Sequence, residues 1–308
     1  MGRVFTSEHC QRHAPPGFPE RPERLEAVLR GVATSGWKTV DVASHPQSRA
    51  AVLRLHSPEY LARFERAMAR GDGLLDSADN PLSAGTLDAA WAAVDCALSA
   101  VDWIAGGESR QAFSAVRPPG HHAESDMAMG FCFFGNIALA ADHLLLHHNV
   151  SRVAVVDFDV HHGNGTQHLL EDRGDIFFAS VHQAPFYPGT GASSERGRGA
   201  GEGATLNVPL PAGTDDAGFR SAVEQIILPA LADFDPDILL VSAGFDGWID
   251  DPIGGWHLTE ASFSWLGREL SGLARDHCEG RSMTILEGGY SLEGLETLTA
   301  AYLGAMKA

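Results

Sequence analysis

The chain has 308 residues, 44% of them hydrophobic, and 40 acidic against 22 basic side chains give a formal charge of −18 at pH 7. That apolar content suffices for a sizeable buried core and excludes a disordered or fibrous polymer. The acidic excess argues against nucleic-acid binding, because phosphate contacts need clustered Lys and Arg, and suits a cationic partner instead. Lys is confined to Lys38 and Lys307, whereas His occurs 15 times. Cys10, Cys96, Cys132 and Cys278 form no CxxC pair, so reduced thiols in the cytoplasm are expected rather than a disulfide framework or a Cys-rich metal site. The start MGRVFTSEHCQRH lacks the apolar stretch of a signal peptide, and no run approaches a membrane span. Assembly into a homo-oligomer is compatible with this composition but not encoded by it.

In chain order, helical spacing over 83–105 precedes an apolar run AFSAV at 112–116. A second helical pattern covers 135–148, followed by strand-like RVAVVDFD (152–159) and DIFFASVH (175–182). The Gly-rich stretch 189–203 reads as a surface loop, because a boundary there would strand the preceding β-run. Helical spacing over 217–233 and 260–276 then alternates with DILLVSAGF (237–245) and SMTILEGGY (282–290). Near-continuous apolar strands alternating with helices predict an α/β fold: one open, mainly parallel sheet with helices on both faces, forming a single domain over 1–308.

In such sheets ligands bind beyond the carboxyl ends of the strands, so the residues just after each strand are the ones to inspect. They are Arg117-Pro118-Pro119-Gly120-His121-His122, Asp157-Phe158-Asp159-Val160-His161-His162, Asp246, and Glu287-Gly288-Gly289-Tyr290. Alternation along a strand would put residues 157, 159 and 161 on one face, with Asp159 and His161 converging on a metal and Asp157 one step deeper. Asp246 could add a third ligand, and an Asp/His/Asp set with an open position is catalytic-zinc chemistry. The plain alternative is that each Asp caps a helix or turn. His121 and His122 could serve as acid and base or be ordinary packing residues. Tyr290 could hydrogen-bond the oxygen of a tetrahedral intermediate or be a packing aromatic after a Gly turn.

Together these stretches closely resemble the histone deacetylase family of the arginase-deacetylase fold. The resemblance rests on RPPGHHAE (117–124), GFCFFGN (130–136), DFDVHHGNGTQ (157–167), SVHQAPFYPGTG (180–191), SAGFDGWIDDP (242–252) and LEGGY (286–290), with weaker ERPERL (20–25) and LHSPEYL (55–61). The GNG after the His pair and FYPGTG resemble the class II branch. The resemblance implies that Asp159, His161 and Asp246 bind one Zn2+ per chain. It makes His122 the general base, held by Asn164, and keeps His121 charged beside Asp157 to support protonation of the leaving amine. Tyr290 would polarise the acyl carbonyl. Phe131 and Tyr187 would flank a narrow tunnel for an acyl-lysine-like chain, with Gly130 leaving room for it. A K+ ion would sit at Asp157, Asp159, the His161 carbonyl, Ser180 and Val181.

The expected activity is therefore zinc-dependent removal of acetyl groups from acetyl-lysine-type side chains. Acetylpolyamines or other small amides are the alternative substrates. Ile253 stands where a polyamine-specific relative carries a carboxylate, so no rim group is expected to select a distal ammonium. An arginase-like ureohydrolase would need two metals and further Asp ligands, and an inactive acyl-lysine binder would have no use for the complete catalytic set.

Overall fold

The computed structural model describes residues 2–306, leaving Lys307 outside. Eight strands form one parallel sheet: β1 (Arg3–Thr6), β2 (Lys38–Asp41), β3 (Gln111–Ser114), β4 (Val153–Asp157), β5 (Ile176–Gln183), β6 (Thr205–Leu210), β7 (Ile238–Ala243) and β8 (Ser282–Leu286), in the order β2-β1-β3-β8-β7-β4-β5-β6. Every residue of β4, β5, β7 and β8 is buried, as continuous apolar runs in a doubly covered sheet require. The helices around it are α1 (Glu23–Ser35), α2 (Ser48–Leu55), α3 (Pro58–Arg70), α4 (Thr86–Ala105), α5 (Asn136–His147), α6 (Asn164–Leu170), α7 (Asp216–Ala222), α8 (Leu228–Phe234), α9 (Glu260–His277) and α10 (Leu292–Ala305). A π-turn over Val223–Ile227 joins α7 to α8.

The interior strands match the sequence reading, but three strands and five helices have no counterpart in it. β2 (KTVD) is a mostly exposed edge strand without an apolar run. β6 contains Pro209, which only an edge strand tolerates because Pro cannot donate to the ladder. α3 carries local signals that do explain it: Ser57 accepts the Tyr60 N–H, Pro58 opens the first turn, and Gly71 at φ 71° ends it. Its buried face is Tyr60, Leu61, Phe64 and Ala67. The reading of 157–161 as continuing strand is corrected. β4 ends at Asp157; the Phe158 N–H still bonds the Ser242 carbonyl of β7 at 3.1 Å, and from Asp159 the backbone bends and runs outside any strand to Gly163. Strand alternation therefore does not account for where Asp159 and His161 point.

A buried charge network ties the chain's start to the carboxyl ends of β3 and β8. Arg117 grips both Glu20 oxygens at 2.6 Å and donates to the Cys10 and His13 carbonyls at 3.0 and 2.9 Å. Arg24 donates to the other side of Glu20 at 3.0 Å and to the carbonyls of Glu287 and Gly289 at 2.6 and 2.5 Å. All three side chains are fully buried. Burial alone would raise the Glu20 carboxyl, but Arg117, His13 and Arg24 outweigh it and hold it at about 2, below its ordinary 4.5. A depressed carboxyl stabilises the fold above its unfolded value and loses that contribution as pH falls through the folded one. Glu20→Gln is therefore expected to cost about 3 kcal/mol in urea unfolding at pH 7, shrinking between pH 4.5 and 2. A pH-independent deficit would contradict this origin of the stabilisation.

Candidate active site

The polar residues singled out in the sequence meet at the carboxyl ends of β3, β8, β7 and β4, four neighbours at the middle of the sheet. Asp159 and His161 lie on the turn after β4, and Asp246 follows β7. His161 Nδ1 lies 2.9 Å from Asp159 Oδ1 and 3.1 Å from Asp246 Oδ2, and one donor atom from each residue falls within 4.8 Å of the others. Backbone amides fix both carboxylates. His161 and Gly288 donate to Asp159 at 2.9 and 2.8 Å, and Val160 donates to Asp246 at 2.9 Å. The backbone must come very close to do this. A Cβ on Gly288 would stand 2.2 Å from Asp246 Oδ2 and 2.5 Å from Asp159 Oδ2.

This donor set fits a divalent cation. Asp159 and Asp246 are 0% exposed, and two buried carboxylates facing each other are costly without positive charge between them. Burial and the Asp159 charge push the Asp246 carboxyl up to about 7. Although burial opposes it, Asp159 and Asp246 push the His161 imidazole up to about 10. One imidazole nitrogen and two carboxylate oxygens form a zinc-type ligand set.

The His pair is divided by its partners. The rings of His121 and His122 lie 4.0 Å apart. His121 Nδ1 is 3.0 Å from Asp157 Oδ2, and its Nε2 is 3.9 Å from Asp159. Burial disfavours its charged form, yet Asp159 and Asp157 prevail and push it up to about 10. His122 moves the other way. Burial and the charges of His121 and His161 hold it well below its ordinary value. Its Nδ1 lies 2.7 Å from the Asn164 amide oxygen, which can only accept, so a neutral His122 keeps its proton there and leaves Nε2 as the basic nitrogen.

Sequence reasoning missed the supports behind these groups. Asn164 Nδ2 donates to Glu124 at 2.5 Å, fixing the amide orientation, and His168 contacts both Glu124 oxygens at 2.9 and 3.0 Å. Buried Glu287 accepts the Gly120 and His121 N–H groups at 2.7 and 3.1 Å and the Ser242 hydroxyl at 3.1 Å. Asp251 accepts the Tyr290 N–H at 2.7 Å, and the Arg24 guanidinium lies 4.8 Å from the centre of the Tyr290 ring. Glu124 and Glu287 stood inside quoted motifs, but nothing in their spacing announced these partners.

A cavity of ≈240 Å³ leads to this centre, lined by Asp79, His122, Gly130, Phe131, His161, Phe186, Tyr187, Ile253 and Tyr290. Phe131, Tyr187 and Ile253, singled out in the sequence, all line this cavity, and Phe186, stacked on His161 at 5.0 Å, adds a wall the sequence reading did not foresee. Gly130 makes room for more than a ligand. At φ 57° its added Cβ would meet the His122 ring at 2.3 Å. Asp79, which the sequence reading did not consider, puts a carboxylate on the cavity wall, where it accepts the Tyr187 hydroxyl at 2.7 Å and the Gly130 N–H at 3.1 Å. Hydrogen bonds from Ser77, Tyr187 and Gly130 outweigh its partial burial and keep its carboxyl below the ordinary range. Ser180 pairs in register with Asp157 behind the site, its hydroxyl 2.9 Å from His182 Nδ1, and Val181 follows it on β5.

The family model for the histone deacetylase domain matches residues 18–306. A probable deacetylase of Archaeoglobus fulgidus is 37% identical over 95% of this chain and 82% of its own length. A histone deacetylase-like amidohydrolase of Pseudomonas aeruginosa is 40% identical over 89% of this chain and 72% of its own. The crystal structure of the HDA15 HD domain superposes with a TM-score of 0.89 at 32% identity, covering 99% of this chain and 90% of the other. The fold is that of the arginase-deacetylase group, and the chain belongs to the histone deacetylase family.

Proposed function

We propose that this protein is a zinc-dependent amidohydrolase that removes acetyl groups from acetyl-lysine-type side chains. The observation that carries the reading is the opposed pairing of two adjacent imidazoles, His121 against the Asp157 carboxylate and His122 against the Asn164 amide oxygen, beside the Asp159–His161–Asp246 donor set. Zinc held by those three residues supplies, when bound, Lewis acidity toward the acyl carbonyl and toward water. His122 accepts the proton of the attacking water at Nε2. His121 holds a proton close to the leaving amine, with Asp157 compensating its charge. The Tyr290 hydroxyl donates to the carbonyl oxygen as negative charge develops there. Arg24 and Asp251 position Tyr290 through its ring and backbone. Phe131, Phe186 and Tyr187 exclude water along an apolar passage suited to a linear methylene chain.

One observation favours a second substrate class. Asp79 gives the rim an ionised carboxylate, which suits a backbone N–H of a peptide or the distal ammonium of an acetylpolyamine. Dominant turnover of acetylputrescine over an acetyl-lysine peptide, lost on Asp79→Asn, would move the assignment to polyamines. Release of urea from arginine would move it to the ureohydrolases, and hydroxamate-competitive binding of acyl-lysine without any turnover would make the protein a binder. A monovalent cation such as K+ at Asp157, Asp159, the His161 carbonyl, Ser180 and Val181 belongs to the same proposal, as does a cytoplasmic setting, which the four free buried thiols support.

Asp159→Ala and Asp246→Ala are expected to lose zinc and turnover together. His122→Ala is expected to retain zinc while kcat falls about 10²–10⁴-fold, because only the base is removed. Near-normal turnover of His122→Ala on an acetyl-lysine peptide would refute its role. Asn164→Asp places an anion beside His122 and raises its pKa, so the acidic limb of kcat/KM is expected to move upward by about 1–3 pH units. An unmoved limb would show that His122 is not the titrating base.

A further inference from the structure

Among the described residues, three groups of His, Cys, Asp or Glu bring ligand atoms within 4.8 Å of one another. Two of them, Asp159–His161–Asp246 and His121–Cys132–Glu287, belong to the site above. The third, His45, Asp102 and His143, does not, and none of its residues lines the cavity. His45 lies in the loop between β2 and α2, Asp102 in the last turn of α4, and His143 near the end of α5, with His148 immediately after that helix. We propose that His45, Asp102, His143 and His148 form a second metal site, structural rather than catalytic, for a divalent transition-metal ion of the zinc class.

The geometry is convergent. Three imidazoles turn the same nitrogen, Nε2, toward one carboxylate: His143 and His148 at 2.7 Å from Asp102 Oδ1, and His45 at 2.9 Å from Oδ2. In a tetrahedral zinc site with bonds of about 2.0–2.1 Å, neighbouring ligand atoms stand about 3.3 Å apart, so each imidazole needs to move only a few tenths of an ångström away from Asp102. His45, Asp102 and His143 already keep ligand atoms within 4.8 Å of one another, and His148, outside that set, has to swing toward them about Asp102 to bind. His161 shows comparable separations from Asp159 and Asp246, 2.9 and 3.1 Å. With His148 swung in, three imidazole nitrogens and one carboxylate would complete a four-coordinate shell with no open position, the pattern of a structural ion. An entry path exists, because the Asp102 and His148 side chains are 38% and 23% exposed while His143 is 2% exposed.

The supports favour the same reading. The His45 N–H donates to Asp95 at 3.0 Å, which anchors the loop that presents its ring. Both Asp102 oxygens face imidazole nitrogens, Oδ1 those of His143 and His148 and Oδ2 that of His45, so the carboxylate is oriented into the centre of the cluster. His143 Nδ1 has no hydrogen-bond partner, so no second group pins its proton on Nε2. Coordination through His45 costs one contact, the Gln47 N–H 3.2 Å from Nδ1, because a neutral imidazole offers only one lone pair. The competing account is a metal-free latch in which three neutral imidazoles donate to Asp102.

The test is a zinc count that does not depend on the hydrolase reading. Chelator-stripped protein is equilibrated with a small excess of zinc over two ions per chain and dialysed, and bound zinc is measured by elemental analysis. Two ions per chain are expected in the wild type and one in Asp246→Ala, where the catalytic donor set is broken. His45→Ala/His148→Ala is expected to remove one ion from each background, and zinc is expected to raise the Tm of Asp246→Ala but not of the combined variant. His148→Gln, at the more exposed position, guards against misfolding: unchanged circular dichroism with zinc binding weakened at least tenfold supports the site. One ion in the wild type with none in Asp246→Ala, or counts unmoved by the cluster variants, would leave only the metal-free latch.

Discussion

Four carboxylates, Asp157, Asp159, Asp246 and Glu287, are buried at 0% exposure where β4, β7 and β8 end, and the site is organised around balancing their charge. Ionised carboxylates are removed from water only when hydrogen bonds and cations replace it. Backbone amides from Gly120, His121, Asp159, Val160, His161 and Gly288 supply part of the compensation. The imidazole of His121 supplies more, and Asp159, Asp246 and His161 together form a donor set that a cation would fit. With so much negative charge close by, His121 stays protonated. His122 faces a neutral amide instead of a carboxylate, and burial together with the neighbouring His121 charge holds its pKa down. Acid and base are separated by electrostatics over a ring distance of 4.0 Å.

The supports extend well beyond the groups that would touch substrate. Arg24, from the first helix, binds the carbonyls of Glu287 and Gly289 and lies over Tyr290, so the amino-terminal segment sets the position of a residue at the end of the last strand. Glu20 and Arg117 lock that arrangement to the turn carrying the His pair. Glycines make the packing possible where backbone meets reactive groups: Gly130 against His122 and Gly288 against both metal-facing carboxylates. A methyl group at either position would displace a side chain from the centre of the site.

The interior of the fold was legible because β4, β5, β7 and β8 are buried on both faces and read as unbroken apolar runs. β2 and β6 were not, since edge strands carry exposed or Pro-bearing sequence. The site was legible where chemistry clusters in sequence, as in 117–122 and 157–161. It was illegible where partners come from distant elements: Arg24 on Tyr290, Glu124 behind Asn164, and Asp79 at the rim. Asp159 and His161 do converge, but not by strand alternation, because a bend with backbone amides, not a pleat, aims them. His45, Asp102, His143 and His148 are isolated signals in sequence, and only the ends of α4 and α5 bring them together.

The opposed proton states of the His pair are the centre of this account, and nitrogen NMR of ring-labelled histidine in the zinc-loaded protein at neutral pH reads them directly. The predicted spectrum shows His121 protonated on both nitrogens and His122 neutral, with its proton on Nδ1 toward Asn164. A neutral His121, or a His122 protonated on both nitrogens, would contradict the assignment of base and acid.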